Sequence, residues 1–230
     1  MSMHLERELD YLNKELLGIA AMVENATDKA LVALVERRPE LAREVIDEDD
    51  LIDHREVRIE EECLKILALH QPMATDLRFV VTALKVNNDL ERVGDLAVNI
   101  AERALYLSSK EMLAVTLDFP EMSREVMKML KAALDALTSR NTDLARAVIA
   151  GDDLIDNFNR QMYDSLQQLM QDNPTTIKRS LHLLSASRHL ERIADLATNI
   201  CEDLIYMVEG EVIRHRPSDY LQDERKRLKS

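Results

Sequence analysis

Glycine, proline and aromatic residues are scarce in this chain of 230 residues, which contains four Gly, five Pro and no Trp. So few turn-forming residues argue against sandwiches and barrels, which turn about every 8–12 residues. Basic residues are outnumbered as well, since 30 Lys and Arg stand against 43 Asp and Glu, giving a formal net charge of −13. This excess of negative charge excludes bulk nucleic-acid binding, which needs basic patches against phosphate. The abundant residues are good helix formers, so an all-α protein is predicted.

The two cysteines, Cys63 and Cys201, lie far apart, each within an apolar helical pattern. We expect both to be reduced thiols in the core, and a disulfide is the alternative. No apolar run approaches the ~18 residues that are needed to span a bilayer. The charged N-terminal residues lack the apolar stretch of a signal peptide. These absences predict a cytoplasmic protein.

Prolines divide the chain into long segments with helical periodicity. Pro39, Pro72, Pro120 and Pro174 each precede such a segment, and proline is tolerated in the first turn of a helix. Gly210 follows the last segment as an expected C-terminal cap. The predicted helices are 5–37, 40–70, 73–108, 120–139, 142–172 and 174–209.

The second half of the chain repeats the first. Residues 41–53 recur as residues 144–156 with ten of thirteen positions identical, and residues 90–102 recur as residues 190–202 with nine of thirteen identical. The chain is therefore predicted to consist of two related units in tandem.

Each unit carries an apolar seam in its third helix, with the alternating 4-3 spacing of a face that packs against neighbouring helices. The two seams are Val86, Leu90, Val93, Ala97, Ile100, Ala104 and Leu107, and Ala186, Leu190, Ile193, Ala197, Ile200, Leu204 and Met207. Long helices joined by short connections pack antiparallel. We predict two tandem, internally repeated three-helix bundles, residues 1–110 and 119–213, followed by a basic tail, residues 214–230.

Four pairs of carboxylates lie one helical turn apart on four different predicted helices. The pairs are Asp49 with Asp53, Glu91 with Asp95, Asp152 with Asp156, and Glu191 with Asp195. Like charges at this spacing repel by a few tenths of a kcal/mol, so helix stability does not favour them. Hard cations take several carboxylate oxygens. Two pairs on adjacent helices would supply enough oxygens for two or more divalent or trivalent metal ions, whether Fe, Zn, Mn or Mg.

The alternative is a solvated acidic helix face, which runs of charge usually are. Metal binding is favoured because both copies of the repeat keep the acids at the same offsets while neighbouring residues differ. At 100° per residue, Glu91 and Asp95 lie roughly opposite Leu90 and Val93. This predicts a site on the bundle surface, unlike that of di-iron enzymes, whose ligands point inward.

Other polar residues recur beside these acids. Arg92 and Arg192 are expected to pair with a neighbouring carboxylate or to reach a partner. Asn99 and Asn199 would supply further oxygen ligands or bond to the adjacent helix. His189 is expected to be an ordinary polar position.

Several stretches resemble the PhoU family, the phosphate-transport accessory and signalling regulators of bacteria. They are residues 71–78 (QPMATDLR), 89–102 (DLERVGDLAVNIAE), 190–202 (LERIADLATNICE) and 206–215 (YMVEGEVIRH). The resemblance covers nearly the full length of the chain. It implies tandem three-helix bundles whose E/D-x-x-x-D motifs, here the same four carboxylate pairs, hold multinuclear metal clusters on the surface.

The function that this resemblance implies is non-enzymatic. Members of the family negatively regulate phosphate-starvation signalling and phosphate uptake. They lie on the cytoplasmic side of the phosphate transporter and contact its ATPase subunit and a sensor histidine kinase, so membrane contact is expected only through partner proteins. We also expect a homodimer. Two alternatives stay open, a carboxylate-bridged metal hydrolase or oxidase and a structural helical adaptor, and the lack of a histidine ligand argues against the enzyme.

Overall fold

Helices make up most of the computed structural model, which describes residues 3–115 and 117–213. They are α1 (Met3–Val35), α2 (Pro39–His70), α3 (Ala74–Ser108), α4 (Phe119–Ser139), α5 (Thr142–Ile149), α6 (Asp152–Asp172) and α7 (Ile177–Glu209), with a 3₁₀ turn at Pro174–Thr176. The described residues contain no β-strand, which confirms the all-α prediction. The predicted basic tail, 214–230, lies outside the described residues.

The helix predicted at 142–172 is observed as two helices, α5 and α6. Between them the Gly151 N–H donates to the Val148 carbonyl at 3.0 Å, three residues back rather than four. Glycine has a low helix propensity. The equivalent residue of the first unit, Glu48, lies inside the uninterrupted α2. The prediction of one continuous helix was therefore wrong at Gly151, while the order of the predicted helical segments is confirmed.

Residues with positive φ follow the ends of α1 and α7. Gly210 ends α7 as predicted, with φ 77° and its N–H donating to the Tyr206 carbonyl at 2.9 Å. Arg37, with φ 57°, follows α1. Its guanidinium donates to the carbonyls of Leu107 and Lys110 at 2.7 and 2.6 Å. Because the last carbonyls of a helix lack partners within it, this contact ties the α1–α2 turn to the end of α3.

The two predicted seams form the centre of the core, and all of their residues are buried. α3 packs against α1 and α2 in the first unit. α7 packs against α4, α5 and α6 in the second, where α5 and α6 together take the place of the single helix predicted there. Cys63 and Cys201 are buried and free, as predicted. Burial raises the pKa of both thiols to about 12, which keeps them protonated and unreactive.

The two units are joined where α3 packs against α7. Lys85 Nζ lies 3.1 Å from Asp203 Oδ1, and Arg103 Nε donates to Ser185 Oγ at 3.5 Å. An early residue of α3 meets a late residue of α7 in the first contact, and the reverse holds in the second, so the two helices run antiparallel. Ser185 and Asp203 follow Lys85 and Arg103 by 100 residues, so the two contacts occupy equivalent positions of the repeat.

The α7 seam offers a test of this core. Leu190 is fully buried, whereas Leu181 on the same helix is 51% exposed. Leu190→Ala should lower the free energy of unfolding by about 2–5 kcal/mol, because it leaves a cavity in a packed core. Leu181→Ala, the matched control, should change it by about 0.5 kcal/mol. Urea unfolding followed by circular dichroism measures both, and equal losses would contradict the assigned core.

Candidate metal centres

The first candidate site lies where α2 packs against α3. Its four acids are the pairs Asp49 and Asp53 on α2 and Glu91 and Asp95 on α3. The helices approach closely beside Gly94, since a Cβ added there would lie 3.3 Å from Ile52 Cδ1. Small residues on the core side of α3 therefore bring the two acidic faces together.

The charges of these acids act on one another. Burial, followed by the charges of Asp53 and Asp95, raises the pKa of Asp49 to about 6. Burial and the charge of Asp95 also raise the pKa of Glu91, and burial and the charge of Asp53 raise the pKa of Asp95. The structure thus brings together the acids predicted on α2 and α3, while metal binding stays a prediction.

The second candidate site repeats this arrangement between α6 and α7. Burial, followed by the charges of Asp195 and Asp156, raises the pKa of Asp152 to about 6. Burial and the charges of Glu191 and Asp156 raise the pKa of Asp195. In all four pairs the first acid is half-buried and the second is exposed. The acids therefore line the surface where two helices meet, not the interior of a bundle.

One carboxylate oxygen of the first site suggests a missing partner. Asp49 Oδ1 is buried and has no hydrogen-bond partner among the described residues. A buried carboxylate oxygen without a partner is costly, and a hard cation would satisfy it. Within residues 3–115 and 117–213, no three His, Cys, Asp or Glu side chains are already arranged to hold a metal ion. Binding would therefore require the carboxylates to turn toward a common point.

The two sites differ at a position that the sequence pattern did not single out. Glu56, one turn beyond Asp53 on α2, contributes its charge to the raised pKa of Glu91. Its counterpart in the second unit is Asn159, which donates to Glu191 Oε2 at 2.7 Å. The sequence could have indicated Glu56, because this residue continues the spacing of the acids on α2 by a further turn. The first site therefore has one more nearby carboxylate than the second.

The recurring residues beside the acids behave differently in the two units. Arg92 Nη1 lies 3.9 Å from Asp89 Oδ1, so its predicted pairing with a neighbouring carboxylate is confirmed. Arg192 has no carboxylate within ion-pair distance in the part of the chain that the structure describes. The Asn99 amide donates to the Asp95 carbonyl at 2.8 Å, within its own helix rather than to the adjacent one.

The family model of the PhoU domain matches this chain twice, over residues 16–104 and residues 119–204. The chain belongs to the PhoU family. The first match runs from within α1 to near the end of α3, and the second runs from the start of α4 to near the end of α7. Each match includes both acid pairs of its unit. The predicted resemblance and the internal repeat are thereby confirmed.

Known relatives cover nearly the whole chain. A phosphate-specific transport system accessory protein PhoU homolog of Aquifex aeolicus is 41% identical over 214 residues, which are 93% of this chain and 97% of that protein. The PhoU homolog of Pseudomonas aeruginosa with the same description is 37% identical over 216 residues, covering 94% of this chain and 89% of that protein. These PhoU relatives are named as accessory proteins of phosphate transport.

Solved PhoU structures share the fold. The crystal structure of PhoU from Pseudomonas aeruginosa superposes with a TM-score of 0.87 at 36% identity, covering 90% of this chain and 99% of that chain. The phosphate transport system regulatory protein PhoU from Streptococcus pneumoniae gives a TM-score of 0.83 at 33% identity, covering 90% and 98%. Among the described residues, no helix combines the length and the apolar character that crossing a membrane requires.

Removing the acids of one site should remove the metal of that site alone. We expect Glu91→Gln/Asp95→Asn and Glu191→Gln/Asp195→Asn each to lower the metal content of the purified chain by about half, because each site lies within its own unit. Asp47→Asn/Glu61→Gln, which removes two exposed charges of α2 outside the site, is the matched control. Elemental analysis measures the content. Unchanged content in both site variants would mean that the acidic stripes are only solvated faces.

The raised pKa of Asp49 predicts how stability depends on pH in metal-free protein. The pKa rises from its ordinary value of 3.8 to about 6, so the folded state holds the proton more tightly than the unfolded state. Ionised Asp49 therefore lowers stability above about pH 6, and this cost disappears as the pH falls through about 6 toward about 4. Asp49→Asn should raise the free energy of unfolding by about 0.2–0.5 kcal/mol per neighbouring like charge at about pH 8.

Urea unfolding in the presence of a chelator tests this, and Asp47→Asn, an exposed acid of α2, serves as the control. The same gain at about pH 4 and about pH 8 would show that the effect of Asp49→Asn does not come from its charge.

Proposed function

We propose that this chain is a cytoplasmic accessory protein of a phosphate transport system that negatively regulates phosphate-starvation signalling and phosphate uptake. The observation that supports this proposal is the PhoU match in both units, together with 41% identity to a relative named as a phosphate-specific transport system accessory protein. The proposed role is binding and signalling without catalysis, in line with relatives named for accessory and regulatory roles.

The proposed partners are the ATPase subunit of the transporter and a sensor histidine kinase, with a homodimer as the working form. Exposed apolar side chains support a protein-binding role. On α2, Leu51, Val57, Leu64 and Leu69 are 59%, 50%, 54% and 67% exposed. We propose that these side chains contact a partner protein, and the net charge of −13 argues against a nucleic-acid partner.

The proposed metal clusters would be held by the eight acids of the two sites. Bound cations, Fe, Zn, Mn or Mg, would supply positive charge between two acidic helix faces. The carboxylates of α2 would then be tied to those of α3, and those of α6 to those of α7. In the metal-free chain the same acids repel one another. Metal binding is thus proposed to stiffen the surface that the partners contact.

A deletion strain tests the regulatory role. Without this protein, phosphate-starvation genes should stay on when phosphate is plentiful, and expression of the intact chain should switch them off again. A reporter fused to a starvation-induced promoter measures both. Normal repression in the deletion strain would remove the chain from this pathway.

The variant that lacks both candidate metal sites separates regulation from metal binding. Glu91→Gln/Asp95→Asn combined with Glu191→Gln/Asp195→Asn should accumulate normally and fail to restore repression. Full repression by this variant would show that the acids have no part in signalling.

A further inference from the structure

A cavity of about 630 Å³ lies along the outer face of α7, beside the contact with α3. Four of its polar lining residues are Ser185, Arg188, His189 and Arg192, and its far end is bounded by two acids of the second candidate metal site, Glu191 and Asp195. We refer to it as the α7 cavity. No residue of the α7 cavity other than those two acids has a role in the proposed metal centres.

Two arginines of the α7 cavity lack carboxylate partners, whereas Arg103 beside it is paired with Glu102. Arg188 and Arg192 are exposed, and neither has a carboxylate within ion-pair distance among residues 3–115 and 117–213. Arg103 reaches the same place from α3, donating through Nε to Ser185 Oγ at 3.5 Å and through Nη1 to Glu102 Oε2 at 2.6 Å. A guanidinium without a partner presents a planar set of donors that matches an oxyanion.

His189 lines the same cavity, between Arg188 and Arg192 in the sequence. Its Nε2 lies 3.1 Å from Ser185 Oγ, and its Nδ1 is buried with no hydrogen-bond partner. Burial lowers the pKa of the imidazole, and the charges of Arg103, Arg192 and Arg188 lower it further. Through Ser185 Oγ, which also accepts from Arg103 Nε at 3.5 Å, His189 is linked to α3. His189, expected to be an ordinary polar position, is half-buried.

The repeat provides an internal comparison, because the equivalent surface of the first unit has fewer cations and more acids. Arg103, Arg188 and His189 have as their counterparts Asp203, Asn88 and Asp89. At one position the first unit has the cation instead, since Lys85 is the counterpart of Ser185. Lys85 is paired with Asp203 at 3.1 Å. The arginines at positions 103 and 188 are thus not a consequence of the repeated fold, since neither has an arginine as its counterpart in the other unit.

We propose that the α7 cavity binds a phosphate group, with Arg188 and Arg192 donating to its oxygens from the rim and Arg103 and Ser185 from the α3 side. The arginine side chains indicate an oxyanion as the ligand. The choice of phosphate among the oxyanions rests on the proposed function. The bound group would lie beside the second candidate metal site. Occupancy of the cavity and of that site would therefore be electrostatically coupled.

Titration calorimetry of the intact chain with inorganic phosphate, after treatment with a chelator, tests the proposal. The unmodified chain should bind phosphate, and Arg188→Asn, which installs the residue of the first unit, should weaken binding about tenfold or more through loss of a charge-assisted hydrogen bond. Arg92→Gln, at the position equivalent to Arg192, is the matched control and should leave binding unchanged. Thermal unfolding checks that both variants fold.

Further arms identify the source of the phosphate group and the role of the neighbouring acids. Binding of inorganic phosphate alone indicates a site for the free ion, whereas binding of O-phosphoserine as well indicates a phosphorylated partner, and either supports a phosphate site. Glu191→Gln/Asp195→Asn should bind phosphate at least as tightly, since two negative charges are removed from the end of the α7 cavity.

Three results would overturn the proposal: binding of neither compound, unchanged affinity in Arg188→Asn, or sulfate binding without phosphate binding. Loss of phosphate binding in Glu191→Gln/Asp195→Asn would do so too, because it would assign the ion to metal retained at those acids. The titration uses purified protein, so its result does not depend on the regulatory role. Normal repression in a deletion strain would reject that role and leave the measured phosphate binding unchanged.

Discussion

The antiparallel packing of α3 against α7 is the interaction on which the rest of the structure depends. Each of these helices buries an apolar seam in its own three-helix unit, and a further side of each contacts the other unit. A helix that is covered on two sides has one face left for polar groups. On both helices that face carries the acid pair and the recurring arginine. Because helical periodicity fixes which residues share a face, the core seam and the surface chemistry are set by the same spacing.

The candidate metal centres show what close packing imposes on charge. Gly94 allows Ile52 to approach α3, and this approach brings the acids of α2 within electrostatic reach of those of α3. Apolar burial contributes roughly 25 cal/mol per Å², whereas an exposed pair of like charges costs a few tenths of a kcal/mol. The packed seam can therefore hold repelling carboxylates together without unfolding. A cation proposed to bind there would still require the carboxylates of the two helices to turn toward a common point.

Features that repeat at helical spacing could be predicted from the sequence, and features that depend on a single local contact could not. The seams of α3 and α7, the cap at Gly210 and the neighbouring acid pairs of α2 and α3 follow from periodicity and repetition. The interruption at Gly151 depends on one backbone hydrogen bond. Arg103 reaches Ser185 only because the two units pack together, and 82 residues separate them in the chain. No spacing within either unit shows that contact.

Differences between the two units carry information that their similarities do not. If the two units carried the same charges at equivalent positions, the two ends of the α3–α7 interface would be alike. They are not alike, because Lys85 pairs across the interface with Asp203 at one end. At the other end, Arg103 pairs with Glu102 of its own helix and donates across the interface to Ser185. Unpaired guanidinium groups gain no packing energy from exposure, and a surface ion pair would contribute at most about 1 kcal/mol. Stability therefore gives little reason for two exposed, unpaired arginines beside one another on α7, whereas the proposed phosphate site accounts for them.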